Sequence, residues 1–123
     1  MPRIRTIKPD MWGSGDIKPL TRDARLLFIG LISMADDDGR FLGATNAING
    51  FVFPNDDLPP AKVRKWLDEL LERGIAHLYQ HDGVTYGCLP SWHKHQVINR
   101  YMPSKLPAPL IECALRKSGG NHA

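Results

Sequence analysis

Cysteine is scarce in this chain of 123 residues: there are two, Cys88 and Cys113. They lie far apart, match no metal-ligand spacing and form no C-x-x-C pair, so they supply no zinc or redox motif. Two reduced thiols are the expectation, with a disulfide between them as the alternative. Long apolar runs are missing as well. None approaches the roughly 20 residues that span a bilayer as a helix. The opening MPRIRTIKPDMW has cations but no apolar stretch, which does not fit a secretory signal. No serine stands in a nucleophile elbow, and no glycine-rich loop with a lysine is present to cradle phosphate. The chain is therefore expected not to be an enzyme. No cofactor and no membrane contact are expected, and the expected setting is cytoplasmic.

What is present suits one modest domain. The apolar share is 42%, ordinary for a globular protein, and the length allows one core. The net charge of +3 and isoelectric point near 9.0 are mildly basic, in keeping with a nucleic-acid partner.

The strongest local signal runs from residue 63 to residue 89. Val63, Trp66, Leu67, Leu70 and Leu71 repeat as the apolar stripe of one helix face. Gly74 suits the left-handed turn past a helix end. Residues 75–80 and 84–89 read as short strands joined at His81, Asp82 and Gly83, where the Asp-Gly pair favours a tight hairpin. Upstream, Thr21 is a good N-cap for a helix over 21–35, with Asp23 in its first turn. Leu26, Leu27, Phe28, Ile29, Leu31 and Ile32 make that helix apolar nearly all round, which predicts a central position. Asp36, Asp37, Asp38 and Gly39 stop it, and Arg40, Phe41 and Leu42 read as a short strand. A weaker helix over 44–51 carries Gly50, and Phe51, Val52 and Phe53 are candidate core residues. A further helix starts near Pro60, a residue suited to the first helical turn.

Helix, short strand, helix, helix, hairpin is the order of a winged helix-turn-helix. The predicted fold class is α+β: three helices, a small antiparallel sheet and a hairpin wing. An N-terminal arm occupies 1–20, the winged-helix domain 21–92 and a basic, Pro-rich tail 93–123. Prolines and glycines deny the arm a regular element, while Ile4, Ile7, Met11 and Trp12 suggest that it packs. Pro103, Pro107 and Pro109 predict an extended 101–109. Residues 111–117 read as a helical turn or two, and 118–123 as frayed.

With the elements placed, the chain resembles a family of actinobacterial phage and prophage proteins. The likeness rests on Arg3-Ile4-Arg5-Thr6-Ile7-Lys8-Pro9-Asp10-Met11-Trp12, on Ala24-Arg25-Leu26-Leu27-Phe28-Ile29-Gly30-Leu31, on Asp36-Asp37-Asp38-Gly39-Arg40 and on Val52-Phe53-Pro54. It continues through Trp92-His93-Lys94-His95-Gln96-Val97-Ile98-Asn99-Arg100 and the prolines beyond, covering roughly residues 1 to 109. These proteins look like the N-terminal winged-helix module of phage replication initiators and replisome organisers of the DnaD-like kind. The resemblance implies binding to double-stranded DNA at a phage origin, inside a bacterial host, with phage or host replication proteins as further partners. Longer relatives carry a C-terminal region thought to engage helicase or loader, whereas this sequence stops soon after the winged helix. Relatives also tend to cap the recognition helix with Ser or Thr. Here Leu58-Pro59-Pro60 stands there, so Asp56 or Asp57 would have to substitute.

The candidate DNA contacts follow from charge placement. Lys62, Arg64 and Lys65 lie in the first turns of the recognition helix, while Asp68, Glu69 and Glu72 lie in its second half. The helix dipole favours the reverse order, and a phosphate at the N-terminus would turn the penalty into a gain. That order suits a helix that enters the major groove by its N-terminal end. The bland alternative is a solvated face laced by Arg64–Asp68, Lys65–Glu69 and Glu69–Arg73 pairs. In the arm, Arg3, Arg5 and Lys8 alternate with Ile4 and Ile7. That pattern fits either a minor-groove arm or a packed strand with its charges in water. Lys94, Arg100 and Lys105, with Arg116 and Lys117, suit phosphate tracking without sequence choice. Tyr101 and Trp92 are able to stack on an unpaired base, though Trp92 reads more readily as core. The wing tip has no lysine or arginine and offers at most His77 and His81, so a plain solvent hairpin is expected.

His93-x-His95 has no accompanying carboxylate or C-x-x-C, and the triple aspartate lacks the spacing of a calcium loop. No metal is expected, and the aspartates read as a helix stop and turn. Alternatives to the replication role are a winged-helix transcriptional regulator, dimeric on a palindrome, and a winged-helix docking module for a phage or host protein.

Overall fold

Thr21 opens the first helix, α1 (Arg22–Met34), by accepting a hydrogen bond from the Ala24 N–H at 3.2 Å. Such a cap is worth about 1 kcal/mol. In this computed structural model residues 3–109 are described. A short strand, β1 (Arg40–Leu42), precedes α2 (Thr45–Val52), α3 (Pro60–Glu72) and the strands β2 (His77–His81) and β3 (Val84–Cys88). The sheet is antiparallel in the order β1-β3-β2, with Arg40 opposite Cys88 and Tyr79 opposite Tyr86. Three helices and a three-stranded sheet ending in a hairpin make an α+β fold consistent with a winged helix.

Each junction has a local cause. α3 ends in a paired C-terminal turn: the Gly74 N–H reaches Leu71 O at 3.1 Å and the Ile75 N–H reaches Leu70 O at 3.0 Å. Gly74 sits at φ +70°, which a residue with a side chain adopts only at a cost. Asp82 and Gly83 both have positive φ, the geometry of a two-residue turn matched to strand twist. Gly30 lets α1 and α2 approach closely, since a Cβ there would meet Val52 at 2.5 Å.

The α3 stripe packs inward as its spacing predicts. Val63, Trp66, Leu67 and Leu70 are buried with Leu27 and Leu31 of α1, Ile48 of α2 and Phe41 of β1. α1 is less central than its composition suggests: Leu26 is 51% exposed, and Phe28 and Ile29 are half-buried. The helix has α2 and α3 on it but still shows one flank to water.

The segments outside 21–92 are more integrated than separate arm and tail labels imply. Ile17 and Leu20 are buried in the core, Ile7 and Met11 pack against it, and Pro9–Gly13 forms a 3-10 turn where no regular element is expected from sequence. Beyond β3, a short helix α4 (Trp92–His95) buries Trp92. Because that segment is helical, His93 and His95 do not share a side, unlike an extended pair. The tail then runs extended over the sheet, where Leu106 O accepts from Arg40 Nη1 at 3.2 Å and Pro107 O accepts from the Tyr79 hydroxyl at 2.8 Å. Tyr79 and Tyr86 stack beneath it at 5.9 Å.

Cys88 is buried and disulfide-bonded, which corrects the expectation of two reduced thiols. The readings at 111–117 and 118–123, with Cys113, Arg116 and Lys117, fall outside the described residues. No helix among the described residues is long and apolar enough to cross a membrane.

Candidate nucleic-acid interface

α3 begins without a side-chain cap. Pro59 occupies the N-cap position and Pro60 the first turn, so neither Asp56 nor Asp57 takes the substitute role that the sequence invites. The turn before it is braced from α2: Asn49 Nδ2 donates to Leu58 O at 3.2 Å, and Phe53 packs its ring on Trp66 at 5.5 Å. These contacts fix where the helix starts.

The buried stripe of α3 turns the opposite face to solvent. Lys62 and Lys65 lie on it, three residues apart, both exposed and with no side-chain partner among the described residues. Arg64 is also exposed but spends its Nε on Asp68 at 2.9 Å. Of the three helix-face pairs the sequence suggests, this is the one that forms. Glu69 turns instead to the start of α1, accepting from the Thr21 N–H at 2.9 Å and the Thr21 hydroxyl at 2.7 Å. That bond ties α3 to α1 and leaves Lys65 without its helical counter-ion.

The arm cations are placed differently. Asp37 is buried, with its side chain 2% exposed, and it takes Arg3 Nη1 at 2.6 Å and Arg5 Nη1 at 2.9 Å. The Met102 N–H donates to the same carboxylate at 2.9 Å. The Arg5 side chain is 5% exposed, donates to Ala35 O at 2.9 Å and lies over the Trp92 ring at 4.9 Å. Trp92 Nε1 closes the group by donating to Asp37 O at 2.9 Å. Burial alone would raise the Asp37 pKa. The Met102 N–H, the Arg5 hydrogen bond and the charges of Arg3 and Arg5 outweigh it and hold the carboxyl below its ordinary 3.8. Of the two readings of the arm, this is a packed one: the guanidiniums of Arg3 and Arg5 hold the arm to the 36–39 loop, Arg5 enclosed and Arg3 part-exposed.

The remaining candidates are exposed. Lys8 reaches Lys94 O at 3.4 Å, so arm and tail meet there, while Arg100 and Lys105 follow along the tail. Together they do not extend the α3 cluster. A cavity of about 230 Å³ has Lys8, Met11, His95, Arg73 and Gly74 in its wall, so the arm lies against the C-terminal end of α3. From Lys62 to Arg73 the helix rises about 16 Å at 1.5 Å per residue. His95, on that wall, has its pKa lowered by burial and by the charges of Lys8 and Lys94. No cluster of three or more metal-ligating side chains exists among the described residues.

Sequence reasoning missed the triple aspartate as an anchor. Asp36 Oδ1 does make the expected turn, accepting from the Asp38 and Arg40 N–H groups at 3.0 Å each. The rest of the loop's carboxylate oxygens serve the arm and the tail. The available signal was three adjacent carboxylates in a chain whose arm and tail are basic. Comparison of the chain with protein-family models, with curated proteins and with solved structures finds no match.

Proposed function

We propose that the chain binds double-stranded DNA with sequence preference, presenting the first turns of α3 to the major groove, and that it acts in phage DNA replication initiation. One observation carries the binding reading: Lys62 and Lys65 stand exposed and unpaired on the outward face of a helix start that no side chain caps. The positive end of the helix dipole and two free cations together suit a phosphate. The replication role rests on the family resemblance of the sequence. Fluorescence anisotropy with duplex fragments of a parent phage genome tests both. Binding should weaken with salt at a log–log slope of about −3 if Lys62, Arg64 and Lys65 each meet a phosphate. Lys62→Glu with Lys65→Glu should abolish it without lowering the thermal midpoint. A double variant that binds like the unaltered chain removes α3 as the reading helix, and a footprint at a promoter instead of an origin moves the role to transcription.

A second reading, a docking module for a phage or host protein, has its own support. The wing tip is exposed and carries no lysine or arginine, and Glu72 stands exposed in the second half of α3. Absence of DNA binding at low salt, with a stable partner in a pull-down, selects it.

A further inference from the structure

Loop 36–39 holds the two outer segments of the described chain at the same time. Asp37 takes Arg3 and Arg5 from the arm and the Met102 N–H from the tail. Asp38 takes the Tyr101 hydroxyl at 2.8 Å and the Ser104 N–H at 2.9 Å, and Asp36 takes the Ser104 hydroxyl. Arm and tail also grip each other. Arg3 donates to Asn99 O at 2.8 Å and to Arg100 O at 3.2 Å. Thr6 and Gln96 exchange two hydrogen bonds: the Thr6 N–H reaches Gln96 Oε1 at 3.0 Å, and Gln96 Nε2 reaches Thr6 O at 2.8 Å.

We propose that loop 36–39 is a latch that fastens arm and tail as one cooperative unit, so that releasing either segment releases both. The dependence runs in both directions. Without the tail, Asp37 loses the Met102 N–H and water gains access to its ion pairs, which weakens them because charge–charge attraction falls as the local dielectric rises. Without the arm, Asp37 keeps its charge with no cation beside it, an arrangement far less stable than the pair. The released arm would carry two guanidiniums free to meet an anionic partner; the closed latch withholds them.

Trypsin reads the latch, because arm and tail each contain its cleavage sites. Tyr101→Phe combined with Ser104→Ala removes side-chain hydroxyls from the tail alone, touching neither the arm nor the core. Cleavage after Arg100 and Lys105 should rise about ten-fold, as expected when lost hydrogen bonds raise the open population, and cleavage after Arg5 should rise with it. Far-UV circular dichroism should show the core unchanged. The converse variant, Arg3→Gln, should accelerate cleavage after Lys105. The proposal is overturned if the tail opens while cleavage after Arg5 stays at its original rate. It is equally overturned if Arg3→Gln leaves the tail as resistant as before, or if the double variant leaves the tail closed, since the loop would then not be what holds it.

Discussion

Arg3 and Arg5 in the arm and Lys62 and Lys65 on α3 are cations of similar spacing with opposite fates. The arm pair is drawn onto a buried carboxylate, and Arg3, the more open of the two, is still engaged with Asp37, Asn99 and Arg100. The helix pair stands in water with Glu69, its nearest helical counter-ion, turned away to Thr21. The difference lies in what the fold places opposite each group. A basic residue is available to a phosphate only where the protein has not already supplied an anion, and a sequence does not reveal that for residues that meet across more than thirty positions.

The contrast is most easily broken at Asp37. Asp37→Ala strands Arg5 without its counter-ion in an enclosed site and should cost about 3–5 kcal/mol, read as a fall in the urea midpoint. A loss below about 1 kcal/mol would make the arm pair as dispensable as the helix pair. Acid should reproduce part of the effect. The Asp37 pKa is lowered in the folded state, so its contribution is fully present above its unfolded value near 3.8 and is lost as pH falls through the lower folded one. Urea unfolding at about pH 5 and about pH 3 should show the drop, and Asp37→Asn should flatten that part of the profile. The smallest effects belong to α3. Arg64→Ala should cost about 0.3–0.5 kcal/mol through its exposed pair with Asp68, and Lys62→Ala with Lys65→Ala should stay within about 0.5 kcal/mol. A larger loss from the lysines would mean that they hold the fold and are not free for a ligand.

Local physics made the scaffold readable. The α3 stripe, the Thr21 cap, Gly74 and the Asp-Gly turn each act within a few residues, and each appears where its chemistry puts it. The exposed positions of Lys62 and Lys65 follow from the same periodicity. The readings that failed depended on distant partners. The α3 N-cap went to Pro59 because a proline pair already sets the helical start, and Glu69 left its helical neighbours for a threonine 48 positions away. The arm was the least legible part: alternation of Arg3, Ile4, Arg5 and Thr6 is compatible with water, DNA or a buried anion. Only the positions of Asp37 and Trp92 decide among them.

The arm–tail contacts join residues 86 to 97 positions apart, whereas the α1 cap, the α3 turn and the β2–β3 hairpin are local. Closing so large a loop carries an entropy penalty that only an already ordered surface repays. Helices and hairpin should therefore assemble first and the two outer segments settle last, after the folding barrier. Changes to those contacts should then hasten unfolding while leaving the folding rate nearly untouched, so the outermost wrapping of this domain governs how long it stays folded rather than how fast it folds.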